Sequence, residues 1–144
     1  MNGVQKALLE ERKFIIVVDR DGDMNTVVTD ILSEAGYDVV SAYNWKNAVR
    51  TIQELKPDLV ILDVMVDANG IWKCREMMHD AKTRDIPVIM MSVFNDYSIR
   101  RTCLHAGAKQ FIYKPLLSRD LLMETERIFM NTDSNSPRND IYRF

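Results

Sequence analysis

Side chains suited to phosphoryl transfer follow four apolar runs of this sequence. Asp19 comes directly after FIIVV, and Asp63 directly after DLVIL. Ser92 follows PVIMM, and Lys114 follows QFIY. A carboxylate can accept a phosphoryl group as an acyl phosphate. An ammonium group or a divalent cation can neutralise the transferring oxygens, and a hydroxyl can donate to one of them. These residue types therefore indicate phosphoryl transfer, provided that the fold brings them together.

The apolar runs predict five β-strands, at residues 14–18, 37–41, 58–62, 87–91 and 110–113. In the first, third and fourth runs the apolar residues are consecutive rather than alternating, which is typical of strands covered by helices on both faces. Between and after the runs, apolar residues recur at helical spacing in five segments. Alternating strands and helices predict a (βα)₅ fold, an α/β sandwich of three layers with a five-stranded parallel sheet in the middle.

The predicted sheet places the four chemical side chains at one edge. In an open parallel sheet, ligands bind beyond the carboxyl ends of the strands. Each side chain alone has an ordinary explanation, such as a strand-end cap or a surface lysine. Four of them at matching strand ends favour a shared site.

The composition excludes several classes of function. At 144 residues, with 47% hydrophobic and 28% charged residues, the chain suits one globular domain. A net charge of −2 and the lack of a basic stretch predict no nucleic-acid partner. No apolar run reaches the about 20 residues that span a bilayer, and no signal-peptide core is present. We therefore expect a cytoplasmic protein without a membrane partner. Cys74 and Cys103 lack metal-ligand spacing, which predicts free thiols.

Residues 13–130 resemble a response-regulator receiver domain, the phosphoacceptor half of two-component signalling. The resemblance is carried by VVDRD at the first strand, ILD at the third, MMS at the fourth and AGAKQFIYKP through the fifth. It implies that Asp63 is the phosphoacceptor and that Asp19 is an acidic metal ligand. It also implies that Ser92 and Lys114 contact the phosphoryl group. On this basis we expect a signalling domain rather than an enzyme.

The same resemblance implies a bound Mg²⁺ ion, with Asp19, Asp63 and the backbone carbonyl of Met65 as ligands. It implies a flavodoxin-like strand order, 2-1-3-4-5. It further implies a cis peptide bond between Lys114 and Pro115.

Arg20 departs from the receiver pattern, which usually has a second acid at this position. With an acid there, the formal charges of the site total −2, a good trap for Mg²⁺, whereas with Arg20 they total zero. Because Mg²⁺ is usually bound through one or two carboxylates, we expect weakened or altered metal binding. Arg20 could also pair with Asp19 or Asp63 in the place of the metal. The adjacent Asp21 is a further candidate ligand.

The segment after Asp63 is a second departure. It reads DVMVDANG, one residue shorter than the family pattern and without its usual proline. Asp67 adds another acid in this segment. Val93, where receivers often have Ala or Gly, adds bulk that could slow both the arrival and the hydrolysis of a phosphoryl group.

Three functions remain open from the sequence. The first is a receiver that accepts a phosphoryl group on Asp63 from a histidine kinase or a phosphotransfer protein. The second is a phosphate-independent pseudo-receiver that binds proteins. The third is a haloacid-dehalogenase-like phosphatase with Asp19 as nucleophile and Asp21 as general acid/base. The phosphatase requires a late acid after a strand, but the acids beyond Lys114 lie in a predicted helix or in the tail. It would also leave Asp63 without a role.

We expect three segments, namely an N-terminal extension at 1–12, the receiver domain at 13–130 and a flexible polar tail at 131–144. We expect no effector domain after residue 130. We therefore expect a stand-alone receiver that docks to a partner, relays phosphate or forms a homodimer.

The expected partner surface combines the fourth helix, the fifth strand and the fifth helix. Phosphorylation would draw the loop after the fourth strand inward and repack this surface. Phe111 holds the position at which an aromatic residue of the family reports this shift, although a core aromatic residue would look the same. The candidate surface residues are Asp96, Tyr97, Arg100, Arg101, Lys109 and Arg119.

Overall fold

Five parallel strands form the centre of the structure, a computed structural model that describes residues 12–133. Their order across the sheet is β2-β1-β3-β4-β5, as the resemblance implied. All neighbouring strands pair in parallel. The strands are β1 (Phe14–Val18), β2 (Asp38–Ala42), β3 (Leu59–Asp63), β4 (Val88–Ser92) and β5 (Gln110–Tyr113).

Five α-helices cover the two faces of the sheet. They are α1 (Gly22–Glu34), α2 (Trp45–Leu55), α3 (Gly70–His79), α4 (Tyr97–His105) and α5 (Ser118–Asp133), and a short 3₁₀ turn (Val66–Ala68) lies between β3 and α3. Helix α5 continues three residues beyond the predicted domain boundary at 130. Residues 1–11 and 134–144, which hold most of the predicted extension and tail, lie outside the described residues. Within the described part of the chain, no helix is long and apolar enough to cross a membrane.

Three strands begin and end one residue later than predicted, whereas β1 and β5 have the predicted bounds. The residues before the shifted strands lie at the margin of the sheet. Tyr37 donates its backbone N–H to Leu32 at the end of α1, and Asp58 forms two hydrogen bonds with Phe14, one through its backbone N–H and one through its carboxylate. Pro87 has no N–H to give to the sheet. The shift makes Asp63 and Ser92 the last residues of their strands.

The core consists of two apolar layers, one on each face of the sheet. Successive side chains of a strand point to opposite faces, so a continuously apolar strand fills both layers. One layer packs the sheet against α2, α3 and α4, and the other packs it against α1 and α5. All five residues of β3 and of β4 are buried. This packing confirms the three-layer sandwich and holds the ends of β3 and β4 in fixed positions.

Candidate functional site

A buried ion triad lies at the carboxyl edge of the sheet. Asp19 follows β1, Asp63 ends β3 and Lys114 follows β5. The Nζ atom of Lys114 lies 2.5 Å from Oδ2 of Asp19 and 2.8 Å from Oδ1 of Asp63. Only 1%, 6% and 6% of the surfaces of Asp19, Asp63 and Lys114 are exposed. The structure thus brings together three of the four residues expected from the strand ends.

The triad keeps Lys114 protonated. Burial by itself lowers the pKa of Lys114, but its hydrogen bonds to Asp19 and Asp63 and their negative charges outweigh burial and raise this pKa. Burial raises the pKa of Asp19, and the hydrogen bond from Lys114 only partly opposes this effect. With two carboxylates and one ammonium, the triad carries a formal charge of −1.

Asp19 is held in place by the start of α1. Asp21 donates its backbone N–H to Oδ1 of Asp19 at 3.0 Å. The side chain of Asn25 is fully buried, and its Nδ2 donates to the carbonyl oxygens of Asp19 and Ala42, both at 3.0 Å. Sequence reasoning missed Asn25. Its signal was a polar residue on the apolar face of α1, one turn before Val28.

The loop between β3 and α3 orients Asp63. The backbone N–H of Met65 donates to Oδ2 of Asp63 at 2.9 Å, so each oxygen of this carboxylate has its own partner. The Met65 carbonyl, which the resemblance implied as a metal ligand, accepts the N–H of Ala68 at 2.9 Å. Asp67 and Ala68 both have left-handed backbone, with φ of +48° and +62°. Two consecutive residues of this kind close a loop that is one residue shorter than the family pattern.

Gly70 is the position at which this loop tolerates no side chain. A Cβ atom at Gly70 would lie 2.2 Å from the carbonyl oxygen of Asp63 and 2.8 Å from that of Val64. Both oxygens belong to the backbone, so relief requires movement of the acceptor loop. Gly70→Ala should therefore lower the free energy of unfolding by about 2 kcal/mol, measured by urea denaturation.

Gly22→Ala is the matched control for this prediction. Gly22 begins α1 and has nothing within 4 Å of its Cβ position. Because alanine favours the helix, this variant should be as stable as the parent protein or more stable. Equal stability of the two alanine variants would contradict the predicted clash at Gly70.

Ser92 lies beside the triad on β4 and is fully buried. Its Oγ accepts the backbone N–H of Phe94 at 2.9 Å, and its carbonyl accepts the N–H of Lys114 at 2.8 Å. Within residues 12–133, the Ser92 hydroxyl hydrogen has no acceptor. This hydrogen can therefore be donated to a ligand while the bond from Phe94 is kept.

The additional charged residues do not join the triad. Arg20 is exposed and pairs with neither Asp19 nor Asp63, because Lys114 binds both carboxylates. Asp21 caps α1 by accepting the N–H groups of Asp23 and Met24. Asp67 accepts the N–H of Trp45 at 2.9 Å. Both additional acids thus accept hydrogen bonds from backbone groups.

The side chain of Val93, which was expected to add bulk beside the phosphoryl group, is exposed.

The oxygen donors of the site fit Mg²⁺, although the protein provides fewer ligands than the family pattern with an acid in place of Arg20. Mg²⁺ is commonly held by one or two carboxylates together with several waters. Asp19, Asp63 and the Met65 carbonyl provide such donors. In residues 12–133 there is no group of three or more His, Cys, Asp or Glu side chains placed to hold a metal ion. Water would therefore complete the coordination.

Three further expectations concern the bond between Lys114 and Pro115, Phe111 and the two cysteines. The peptide bond between Lys114 and Pro115 is cis, as the resemblance implied. Phe111 is buried and packs in the core layer beside α4. Cys74 and Cys103 are free thiols, and both are buried.

The fold and the site together define a doubly wound α/β domain with a carboxylate–lysine centre at the carboxyl edge of its sheet. Residues 15–126 match the family described as the response regulator receiver domain, and the chain belongs to this family. Receiver domains are the signalling domains of two-component systems. The match favours the receiver over the phosphatase in which Asp19 would be the nucleophile.

Two curated relatives illustrate the similarity. The chain is 34% identical over 136 residues to the probable transcriptional regulator ycf27 of Cyanophora paradoxa, an alignment that covers 89% of this chain and 56% of that protein. It is 32% identical over 129 residues to the phosphate regulon transcriptional regulatory protein PhoB of Pseudomonas aeruginosa, covering 87% and 56%. The chain thus spans about half the length of the curated relatives it matches. The stand-alone arrangement and the lack of a nucleic-acid partner stay predictions.

Solved structures show the same fold. A putative response regulator from Chloroflexus aurantiacus superposes with a TM-score of 0.80 at 25% identity, covering 83% of this chain and 99% of that one. The receiver domain of NtrX from Brucella abortus superposes with a TM-score of 0.74 at 28% identity, covering 81% and 98%. These structures match the described α/β domain over nearly their full length.

Proposed function

We propose that Asp63 accepts a phosphoryl group from a histidine kinase or a phosphotransfer protein and that the chain acts as a phosphorylation-dependent switch. The observation that supports this proposal is the environment of the Asp63 carboxylate. One oxygen is bonded to Lys114 and the other to the N–H of Met65, while Ser92 ends the neighbouring strand. A nucleophile, a fixed cation and a hydroxyl donor therefore meet at one edge.

The transfer step follows from these groups. A carboxylate oxygen of Asp63 attacks phosphorus, a P–O bond forms, and the bond from phosphorus to the donor's imidazole nitrogen breaks. The imidazole keeps the electron pair of that bond and takes up a proton. Lys114 stabilises the negative charge on the transferring oxygens, and Ser92 donates its hydroxyl hydrogen to one of them.

Mg²⁺ would be held by Asp19, Asp63 and the Met65 carbonyl, and it would neutralise the same oxygens when bound. We propose that its affinity is low because Arg20 replaces an acid. Arg20→Asp should tighten Mg²⁺ binding about tenfold, since it removes one positive charge and adds one negative charge beside the site. Calorimetric titration with MgCl₂ measures this change.

Arg84→Asp is the control for Arg20→Asp. It makes the same change in net charge at an exposed position before β4, at the opposite edge of the sheet. It should leave Mg²⁺ affinity within about twofold of the parent value because salt screens distant surface charges. Equal tightening by both variants would point to net charge rather than to the position of Arg20.

We propose that a downstream protein, or a second copy of the chain, binds the surface formed by α4, β5 and α5. Tyr97, Tyr113 and Leu117 expose apolar area there. A depression of about 290 Å³ runs beside β5 and the start of α5. On its wall, Oε2 of Glu124 is buried and has no hydrogen-bond partner within the described residues. A partner that donates a hydrogen bond would satisfy this oxygen.

Asp96 of the predicted surface and Phe111, the expected switch residue, have structural roles. Asp96 caps α4 by accepting the N–H of Ile99 at 2.8 Å. Phe111 packs inward, so it can move with the loop after β4 only if the core beside α4 repacks. In the proposed switch, phosphorylated Asp63 draws Ser92 and the Phe94 N–H bonded to it towards the phosphoryl group.

Intact-mass spectrometry after incubation with acetyl phosphate tests the proposed phosphorylation. With Mg²⁺ present, the folded protein should gain one phosphoryl mass. If the adduct also forms in the presence of a chelator, Lys114 rather than Mg²⁺ neutralises most of the charge on the transferring oxygens. No adduct under either condition would overturn the proposal and indicate a phosphate-independent binding module.

A further inference from the structure

The turn after Asp63 is tied to a distant helix by one side chain. Asp67 accepts the backbone N–H of Trp45, the first residue of α2, at 2.9 Å. The side chain of Asn44, the N-cap of this helix, accepts the N–H of Asn47 and does not bond to Trp45. The first turn of α2 has no acidic residue of its own. Asp67 therefore supplies an acceptor and a negative charge that α2 lacks, and both stabilise a helix N-terminus.

The backbone of this turn needs such an anchor. Asp67 and Ala68 have left-handed backbone, which is unfavourable for residues with a Cβ atom and persists only where the surroundings enforce it. Val66 is fully buried beneath the turn. The bond from Asp67 to Trp45 is the one side-chain hydrogen bond that links residues 66–68 to another element within the described residues.

The same turn carries the group that orients the acceptor. The carbonyl of Met65 accepts the N–H of Ala68, and the N–H of Met65 donates to Asp63. A displacement of the turn therefore shifts the backbone of Met65 and moves its N–H away from the Asp63 carboxylate. Such small displacements of a reacting group lower rates strongly.

We infer that Asp67 is a positioning residue for phosphorylation of Asp63, acting through the turn and the backbone of Met65. The inference rests on the proposed function of Asp63. Asp67 itself touches neither the phosphoryl group nor Asp63. Its bond to the α2 N-terminus holds the Met65 N–H against the acceptor oxygen.

Three variants separate the hydrogen bond from the backbone strain. Asp67→Asn keeps a side-chain acceptor and a residue that tolerates left-handed backbone. Asp67→Gly relieves the strain but removes the acceptor. Ala68→Gly relieves strain at the next residue and leaves Asp67 intact, so it controls for added flexibility.

The measurement is the initial rate of phosphorylation by acetyl phosphate across a range of donor concentrations. The maximal rate of Asp67→Gly should fall about tenfold, because the Asp63 carboxylate is misplaced. The half-saturating concentration of acetyl phosphate should stay unchanged, because binding of the donor is not affected. Asp67→Asn and Ala68→Gly should stay within about twofold of the parent rate. Amide hydrogen exchange of Trp45 should accelerate in Asp67→Gly alone.

The outcomes distinguish the two proposals. A parent protein that gains no phosphoryl group overturns the proposed function, and the role of Asp67 falls with it. A parent protein that is phosphorylated at the same rate as Asp67→Gly overturns the role of Asp67 only. Equal slowing of Asp67→Gly and Ala68→Gly also overturns it, because flexibility would then explain the loss.

Discussion

Asp63→Asn should abolish the phosphoryl adduct while the fold stays at least as stable as the parent protein. An amide cannot form an acyl phosphate, so no adduct should be seen by intact-mass spectrometry. Asp63 is one of two buried carboxylates that share Lys114, and its replacement changes the formal charge of the triad from −1 to zero. The remaining pair of Asp19 and Lys114 is balanced, so urea denaturation should show no loss of stability.

Asp30→Asn serves as the control for this result. Asp30 is an exposed acid on α1, and its amide variant should gain the phosphoryl mass at the parent rate. If Asp63→Asn still gains a phosphoryl mass, the acceptor lies elsewhere, and peptide mapping would show whether Asp19 carries it. A strong loss of stability in Asp63→Asn would instead show that the triad needs both carboxylates.

The residues of the triad could be predicted from the sequence because each lies at the end of a strand. Parallel strands place their carboxyl ends at one edge irrespective of the details of packing. To predict that the triad residues share a site required only the positions of the strands and their order. These residues are Asp19, Asp63 and Lys114. An error of one residue in β3 or β4 did not matter, since Asp63 and Ser92 still lie at the same edge.

Other parts of the site could not be predicted because they depend on contacts between distant segments. Asn25 reaches Ala42 across 17 residues, and Asp67 reaches Trp45 across 22. A sequence pattern does not show which backbone group a polar side chain will meet. The sequence suggested Asp21 and Asp67 as additional acids near the metal site. In the structure each of them accepts an N–H at the N-terminus of a helix.

Arg20 shows why a formal charge count is a poor guide to a buried site. The count treats Arg20 as equal to Lys114, and it totals zero. In the structure Lys114 is buried between two carboxylates, whereas Arg20 faces solvent, where screening weakens the effect of its charge without removing it. The buried charge is therefore −1, a value between the sequence estimate and the −2 of the usual receiver pattern.

Lys114→Met should have the largest effect on stability of any single change at this site. It leaves Asp19 and Asp63 buried at the sheet edge without a cation. Removal of one partner from a buried ion pair lowers the free energy of unfolding by about 4 kcal/mol, and methionine has a similar length to lysine. Urea denaturation at neutral pH measures the loss. The variant Lys109→Met, which removes a lysine outside the triad, should lose much less.

The dependence of stability on pH tests the cause of the stability loss in Lys114→Met. In the parent protein the pKa of Lys114 is raised. The contribution of Lys114 to the free energy of unfolding is therefore complete below its ordinary pKa of 10.5, and it is lost as the pH rises through the raised pKa. Lys114→Met should lack that alkaline loss.

At acid pH the difference between the two proteins should shrink. Lys114 lowers the pKa of Asp19, so its removal raises this pKa further, and the folded variant then binds protons above the unfolded value of 3.8. The variant should therefore gain stability relative to the parent protein as the pH falls towards 3.8. Adding Asp19→Asn to Lys114→Met should restore part of the lost stability at neutral pH, because it removes one of the two unpaired carboxylates. If the double variant is no more stable than Lys114→Met, the loss reflects packing of the lysine stem rather than buried charge.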